Sequence, residues 1–340
     1  MQDTRRAELL LEYNGKDISS DLTGSLISFT YNDAAPGSLD DIQITLEDRE
    51  RKWQRSWSPV EGDKIKARIQ TKHWGKPGEV LKLPLGAFEV DAVDIAGPPD
   101  VVTIMAVSLP IGSNIRQEKR SKAWEKVSLK TIAADAAKKS GLKLLYEVQD
   151  NPTYDRLDQS DVSDLAFLFE QAKNEGIAIK IASGKLILFD EAEYERKPPV
   201  ASIVRGKGNI VSYSFGWSTA YTAYRACVVT YTNAKDKKTF KATYTPPGAP
   251  AKGPILKINE QVDSNAAAVR LARKRLREKN KEAGKAGLSL AGDIRLAAGA
   301  TIRLEGWGRF DGKYLIESAS HSVSSGGYTT NIDIRKVLGW

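Results

Sequence analysis

Two stretches of this sequence alternate apolar and polar residues almost one for one: Ile42-Gln43-Ile44-Thr45-Leu46 and Lys64-Ile65-Lys66-Ala67-Arg68-Ile69-Gln70. A period of two puts every second side chain on one face of an extended backbone, so each stretch reads as a strand with one dry side. Further strand-like runs cover Leu26 to Tyr31, Ala87 to Ile95 and Val101 to Val107. Pro36-Gly37, Glu61-Gly62-Asp63, Pro77-Gly78 and Gly97-Pro98-Pro99-Asp100 separate them with turn chemistry. Short strands at this spacing imply an antiparallel sandwich or barrel, placed here at residues 1–112.

The period then changes. Ser128 is positioned to cap a helix whose apolar residues Leu129, Ile132, Ala133, Ala136 and Ala137 share one face, with Gly141 as its stop. A second helix is expected from about Asp161, with Val162, Leu165, Leu168, Phe169 and Ala172 on its dry side and Gly176 at its end. Ile177 to Ala182 and Lys185 to Phe189 flank Ser183-Gly184, a hairpin signal. This α/β module spans 113–199 and closes at Arg196-Lys197-Pro198-Pro199.

Residues 200–340 return to strands: Ile210 to Phe215, Tyr224 to Tyr231, Thr239 to Tyr244, Thr301 to Leu304, Tyr314 to Ser320 and Tyr328 to Ile334. A helix at about 263–283, capped by Asp263 or Ser264, interrupts them and has Ala268, Leu271, Ala272 and Leu276 as its dry side. The expected fold class is therefore β-rich α+β, two antiparallel β domains with an α/β module between them.

The formal charge of +8 is local. Between Arg270 and Lys285 eight cations stand against Glu278 and Glu282, leaving +6 in that one segment. A nucleic-acid binder spreads such charge over a face and interleaves aromatics for stacking, and this run contains no aromatic residue. Arg270, Arg273, Lys274, Arg277 and Lys281 are instead the candidate assembly surface, expected either to be solvated or to meet acidic surface on a neighbouring protein.

Candidate chemistry is sparse. Two histidines, His73 and His321, and one cysteine, Cys227, are too few and too far apart for a zinc site. Cys227 sits in the apolar run Ala226-Cys227-Val228-Val229 and reads as a buried thiol made in a reducing cytosol. Glu47-Asp48 and Glu191 with Glu193 are the candidate glycosidase carboxylate pairs, but their charged surroundings favour solvated surface. Gly206-Lys207-Gly208 precedes a strand and so reads as a turn, not a phosphate loop. Trp53 and Trp57, four apart, mark either a contact surface or a packed edge. No run of 18 apolar residues is present and no secretory leader is expected at the N-terminus. No catalytic residue, cofactor or metal is expected.

Four groups of residues, in order, resemble a known family. Leu85-Gly86-Ala87-Phe88-Glu89-Val90-Asp91, followed by Gly97-Pro98-Pro99-Asp100 and Val101-Val102-Thr103-Ile104, is similar to the first domain of phage late control protein D. Arg120-Ser121-Lys122-Ala123-Trp124-Glu125 and Ser160-Asp161-Val162-Ser163-Asp164-Leu165 resemble that family's middle module. Leu296 to Leu304, Phe310-Asp311-Gly312-Lys313-Tyr314, His321 and Tyr328-Thr329-Thr330 resemble its terminal β pattern. The resemblance implies a non-enzymatic baseplate hub of a contractile phage tail or tailocin, related to the base of type VI secretion spikes. It implies two tail-tube-like β domains per chain, in a homotrimer that adapts a sixfold tail tube to a threefold central spike. The spike would be a separate protein, and tape-measure, LysM-type and other baseplate proteins are the expected partners. The expected location is the virion or particle, after synthesis in the bacterial cytoplasm, with no nucleic acid bound. The alternatives are a tail-associated peptidoglycan hydrolase and, behind it, a nucleic-acid binder acting through the basic helix.

Overall fold

In the computed structural model the described residues are 4–109, 115, 118–216, 223–232, 237–262 and 264–340. Strands make up 49% and helices 18% of the chain, so the β-rich α+β class is the one observed. The alternating segments of both ends join one large, mainly antiparallel sheet. Its path starts at Ile210–Phe215 and continues through Lys285–Ala291, Gly327–Lys336 and Gly312–Ser324. It then passes to Leu26–Asp33, Asp41–Glu47, Val101–Val107, Val80–Ala96, Lys64–Lys72, Arg6–Tyr13 and Lys16–Asp17. Thr301–Glu305 pairs with the first half of Gly312–Ser324 and with Ala201–Val204. The described strands do not close into a barrel, because the path ends in two edges that do not pair with each other.

Within this sheet the same five-strand pattern occurs twice, register for register. In the first copy Leu26 opposes Leu46 and Ser28 opposes Thr45, with a bulge between. In the second Ile210 opposes Leu290 and Ser212 opposes Ser289, with the bulge at the same place. Ile65 opposes Phe88 and Ala67 opposes Gly86, just as Ile302 opposes Tyr314 and Leu304 opposes Gly312. Val90 and Ala92 pair with Ala106 and Met105 across a bulge, matching Ile316 and Ser318 with Ile334 and Asp333. Even the turn contacts repeat. Gly62 N–H donates to Val90 O and Val90 N–H to Asp63 O, both at 2.9 Å; Gly299 to Ile316 and Ile316 to Ala300 do the same, both at 2.9 Å. Gly62 and Gly299 each need a positive φ, +85° and +83°, which only glycine adopts without strain.

Each copy covers its own core. Phe29, Ile42, Leu46, Ile65 and Ile69 are sealed under the first, and Ile302, Ile316 and Ile334 under the second. The two copies join where Ala319–Ser324 pairs antiparallel with Ser28–Asp33, and Val323 and Tyr328 thereby enter the first core.

The middle module packs Leu129–Lys139 and Asp164–Glu175 over a small sheet of Lys143–Glu147, Lys185–Phe189 and Ala178–Ala182. Ser128 caps the first helix by accepting from Thr131 N–H, and all five expected apolar residues are buried. The second helix begins later than the periodicity suggested. Asp161 and Val162 belong to a strand, Thr153–Ser163, which bulges against Lys119–Ser128, and Ser163 supplies the cap. Burial accordingly falls on Phe167, while Phe169 is only partly covered. Ser183 and Gly184 both take positive φ, the geometry of a type I′ hairpin turn.

Candidate assembly interface

The basic helix spans Asn265–Lys281, capped by Ser264, whose Oγ accepts from Ala267 N–H at 3.1 Å. Asp263, the alternative cap, lies outside the described residues. Ala268, Ala272 and Leu276 are fully buried with Cys227, Val229 and Phe240 of a separate sheet formed by Ala226–Thr232, Thr239–Tyr244 and Ile255–Ile258. Leu271 is half-buried there.

The five candidate cations divide. Lys274 pairs with Glu175 at the end of the second helix of the middle module. Arg277 approaches Glu195 as an ion pair at 2.6 Å and donates to the carbonyl of Trp340. Lys281 pairs with Glu191. Only Arg270 and Arg273 are exposed with no ion partner among the described residues. The sequence showed Glu278 and Glu282 as counter-charges because they share the segment; the carboxylates that hold Lys274, Arg277 and Lys281 come from residues 175, 191 and 195.

The Arg277 and Lys281 pairs belong to a cluster around Arg335, which is only 1% exposed. Its Nη1 donates to Glu195 Oε1 at 2.6 Å, its Nη2 to Glu191 Oε2 at 3.0 Å, and its Nε lies 3.4 Å from Glu317 Oε1. Both glutamates sit on the short helix Glu191–Arg196, started by Asp190, which accepts from Ala192 N–H at 2.8 Å. Burial alone would push the Glu191 carboxyl up, but Lys281 and Arg335 together outweigh it and hold it below the usual range. Glu317 goes the other way, because burial exceeds the pull of Lys285 and Arg335. Glu191 is therefore an internal anchor and not the solvated surface its charged neighbours suggested, whereas Glu193 stays outside with Arg196. Asp48 is a second correction. It is buried, and its Oδ1 accepts from Trp53 N–H at 3.1 Å.

A second buried group ties the middle module to the first β copy. Lys180 pairs with Asp33 and, at 3.2 Å, with Asp40, and donates to Ala34 O at 3.1 Å. Asp33 Oδ2 also accepts from Ala298 N–H at 2.7 Å, so three segments meet on one lysine and two carboxylates. Burial pushes Asp40 up to about 6, against Lys180 and with Asp33.

His321 lies at the junction of the two copies, fully buried. Its Nε2 is 2.9 Å from Leu296 O, which can only accept, so this nitrogen carries the proton and Nδ1 accepts from Tyr328 O–H at 2.7 Å. Burial keeps the ring's pKa below its usual value, so it is neutral near pH 7. His73 is a turn residue whose Nδ1 accepts from Gly78 N–H at 2.8 Å. Burial pushes the Cys227 thiol up to about 11, the opposite of an activated nucleophile. Gly206 and Gly208 form the turn into Ile210–Phe215, and Trp53 is buried edge-to-face against the more exposed Trp57. Among the described residues no group of three histidine, cysteine or carboxylate side chains is placed to hold a metal.

What the arrangement does offer is unpaired strand edge. Among the described residues, the strand Val80–Ala96 pairs beyond Val90 on one side only, with Val101–Val107, and Ile210–Phe215 pairs only with Lys285–Ala291. Both edges carry exposed apolar residues: Ile95 at 54%, Val211 at 66% and Tyr213 at 49%. Sequence periodicity identified these strands but not their openness, which depends on which partners the topology supplies.

Comparison with known proteins places the same architecture elsewhere. A family model described as YQBQ-like matches residues 169–335. The chain is 24% identical to a "probable baseplate hub protein" of Escherichia phage 186, over 97% of this chain and 92% of that protein. It is 26% identical to the protein of the same description from Escherichia phage P2, over 66% of this chain and 56% of that one. Among solved structures, a 43 kDa tail protein from prophage MuSo2 of Shewanella oneidensis aligns with a TM-score of 0.71 at 15% identity, covering 97% of this chain and 98% of that one. A tail protein from Neisseria meningitidis also reaches 0.71, at 12% identity and 98% of both chains. An Escherichia coli component of the type VI secretion system, itself described as similar to phage T4 tail proteins gp27 and gp5, reaches 0.59 at 12% identity, over 97% of this chain and 78% of that one. The chain is thus similar along its length to hub proteins of P2-like phages and shares the fold of phage tail proteins.

Proposed function

We propose that this chain, similar over nearly its whole length to the baseplate hubs of P2-like phages, is a structural hub at the tip of a contractile tail tube. Three copies form a ring that meets a sixfold tube on one face and a separate threefold spike on the other. The observation that carries this reading is the twofold repeat of one five-strand pattern. An adaptor between six and three needs two similar units per subunit, and residues 26–107 and 210–336 supply such a pair. Each unit is the tail-tube-like β domain of this reading, although within one chain the sheet stays open. The buried groups around Arg335 and Lys180 fix the units and the middle module relative to one another, which suits a load-bearing part. Tube protein, spike and other baseplate proteins are its partners, and Arg270 and Arg273 are the two of the five candidate cations left to meet them.

The test is assembly without turnover. Mixed with tube and spike proteins, the purified chain is expected to enter particles as a ring, and peptidoglycan zymography of the chain alone is expected to stay blank. A lysis band that vanishes on removing one carboxylate would instead support a tail-associated hydrolase.

A further inference from the structure

The second copy carries an insertion that the first lacks: residues 216–284 stand where the first has only the turn 34–40. The insertion holds fourteen lysines and arginines against five carboxylates, a net +9, so the rest of the chain, at −1, is almost balanced. Its core is its own, the sheet of Ala226–Thr232, Thr239–Tyr244 and Ile255–Ile258 packed on the basic helix. That helix lies between the sheet and the body of the chain. Ala268, Ala272 and Leu276 face the sheet, while Lys274, Arg277 and Lys281, on the opposite side of the helix, pair with Glu175, Glu195 and Glu191. The sheet is therefore the outermost layer. Strand alternation turns Cys227, Val229, Phe240 and Ala242 inward and Thr230, Thr232, Thr239, Lys241, Thr243 and Lys257 outward. Register sets Thr230 beside Lys241, and Val228 between Thr243 and Lys257. Of the six outward residues all but Thr230 are exposed, as are Lys237 before one end of the sheet and Lys252 before the other. Among the described residues none of these four lysines has a carboxylate partner. The carboxylates of the body are engaged by the inward cations, and the outward ones are left without a counter-charge.

Resting on the hub reading above, we propose that this outer sheet face is the docking site for an acidic surface of another tail protein, one site per chain. Carboxylates of the partner meet Lys241 and Lys257, and the threonine hydroxyls donate to those that the lysines do not reach. Charge complementarity of this kind fixes the partner's orientation and speeds its docking. The count follows from the fold. A ring of three such chains presents six similar β units but only three insertions, so this partner reads the threefold order and not the sixfold one. Among its described residues the face carries no arginine and no aromatic side chain, which sets it apart from a nucleic-acid platform.

Lysine acetylation read by mass spectrometry tests this, comparing the free chain with particles assembled from it and the tube, spike and other baseplate proteins. Lys241 and Lys257 are expected to lose most of their reactivity in the particles. A zero-length carbodiimide cross-linker is expected to join them to aspartate or glutamate of a different tail protein. Lys241→Glu with Lys257→Glu, at two exposed positions, should keep the circular dichroism and the multimeric mass of the wild type. It should lower incorporation into particles by about tenfold or more, because like charges then face each other across the docking surface. Particles that take up this variant normally, or that leave both wild-type lysines as reactive as in the free chain, overturn the docking site and leave the hub standing. Protection that a nuclease removes assigns the face to nucleic acid, and cross-links only between copies of this chain assign it to self-contact; either overturns the proposal. A wild-type chain that never enters particles overturns the hub reading and this proposal together.

Discussion

His321 and Tyr31 face each other across the strand pair that joins the two sheet copies, their rings stacked at 20° with centroids 6.1 Å apart. The ring of His321 also holds Leu296 O and Tyr328 O–H, so truncation removes packing and takes a hydrogen-bond partner from each of these two groups. His321→Ala is expected to cost about 3 kcal/mol in urea unfolding at pH 7. The folded pKa is depressed, so the stabilisation is full above the unfolded value and is lost as pH falls through and below 6.5. The gap between wild type and variant should therefore narrow at pH 5. An equal gap at both pH values would mean that proton uptake by this ring is not coupled to unfolding.

Asp40 responds in the opposite sense. Its folded pKa is raised from 3.8 to about 6, chiefly by burial. A raised carboxyl contributes stability that is full below the unfolded pKa and is lost as pH rises through the folded one. Asp40→Asn retains an oxygen for the Ala34 N–H and cannot ionise. Relative to wild type, the variant should gain on the order of 1–3 kcal/mol between pH 4 and pH 7.5. Denaturant titrations at the two pH values check this, and a pH-independent difference would contradict the assignment.

The cluster around Arg335 makes a sharper demand. Removing this guanidinium leaves Glu191 and Glu195 buried with only Lys281 and Arg277 to balance them, and breaking one partner of a buried ion group costs about 3–5 kcal/mol. Arg335→Met should lower the urea midpoint accordingly, and a second change, Glu195→Gln, should recover part of the loss. A loss in Arg335→Met equal to that of an exposed substitution would show that solvent reaches the site.

Charge reversal distinguishes the two sides of the basic helix. Arg270→Glu with Arg273→Glu should leave circular dichroism and thermal unfolding unchanged while slowing entry into particles. Arg277→Glu with Lys281→Glu puts new carboxylates against Glu195 and Glu191 and should destabilise the chain itself by several kcal/mol. If the first pair also leaves particle yield normal, the exposed face of the helix is only solvated.

How much of this was readable beforehand follows the range of the interaction. Leu129, Ile132, Ala133, Ala136 and Ala137 revealed a helix because their spacing and the Ser128 cap are local, and all five are buried. Asp161 and Val162 misled for a related reason. Their pattern continues the helical spacing, yet Asp161 sits at positive φ in the bulge and Val162 pairs with Arg120, so the helix starts only once Ser163 caps it. The repeat was hidden because its copies share little beyond a skeleton, such as Gly86-Ala87-Phe88-Glu89-Val90-Asp91 against Gly312-Lys313-Tyr314-Leu315-Ile316-Glu317. Its second copy is also interrupted between Phe215 and Lys285 by the small sheet and the basic helix, where the first has only the turn from Ala34 to Asp40. The pairing of Lys281 with Glu191 and of Arg277 with Glu195 was illegible for want of any local signal. Charge counting sees neighbours in sequence, and these partners meet only through tertiary packing.

The central claim is that the chain closes on copies of itself into a threefold ring. Size exclusion coupled to light scattering, across concentration and with tube or spike protein added, tests it most directly. The expected result is a species with the mass of three 37.3 kDa chains that persists on dilution in the presence of partners. A strict monomer under every one of these conditions would contradict it.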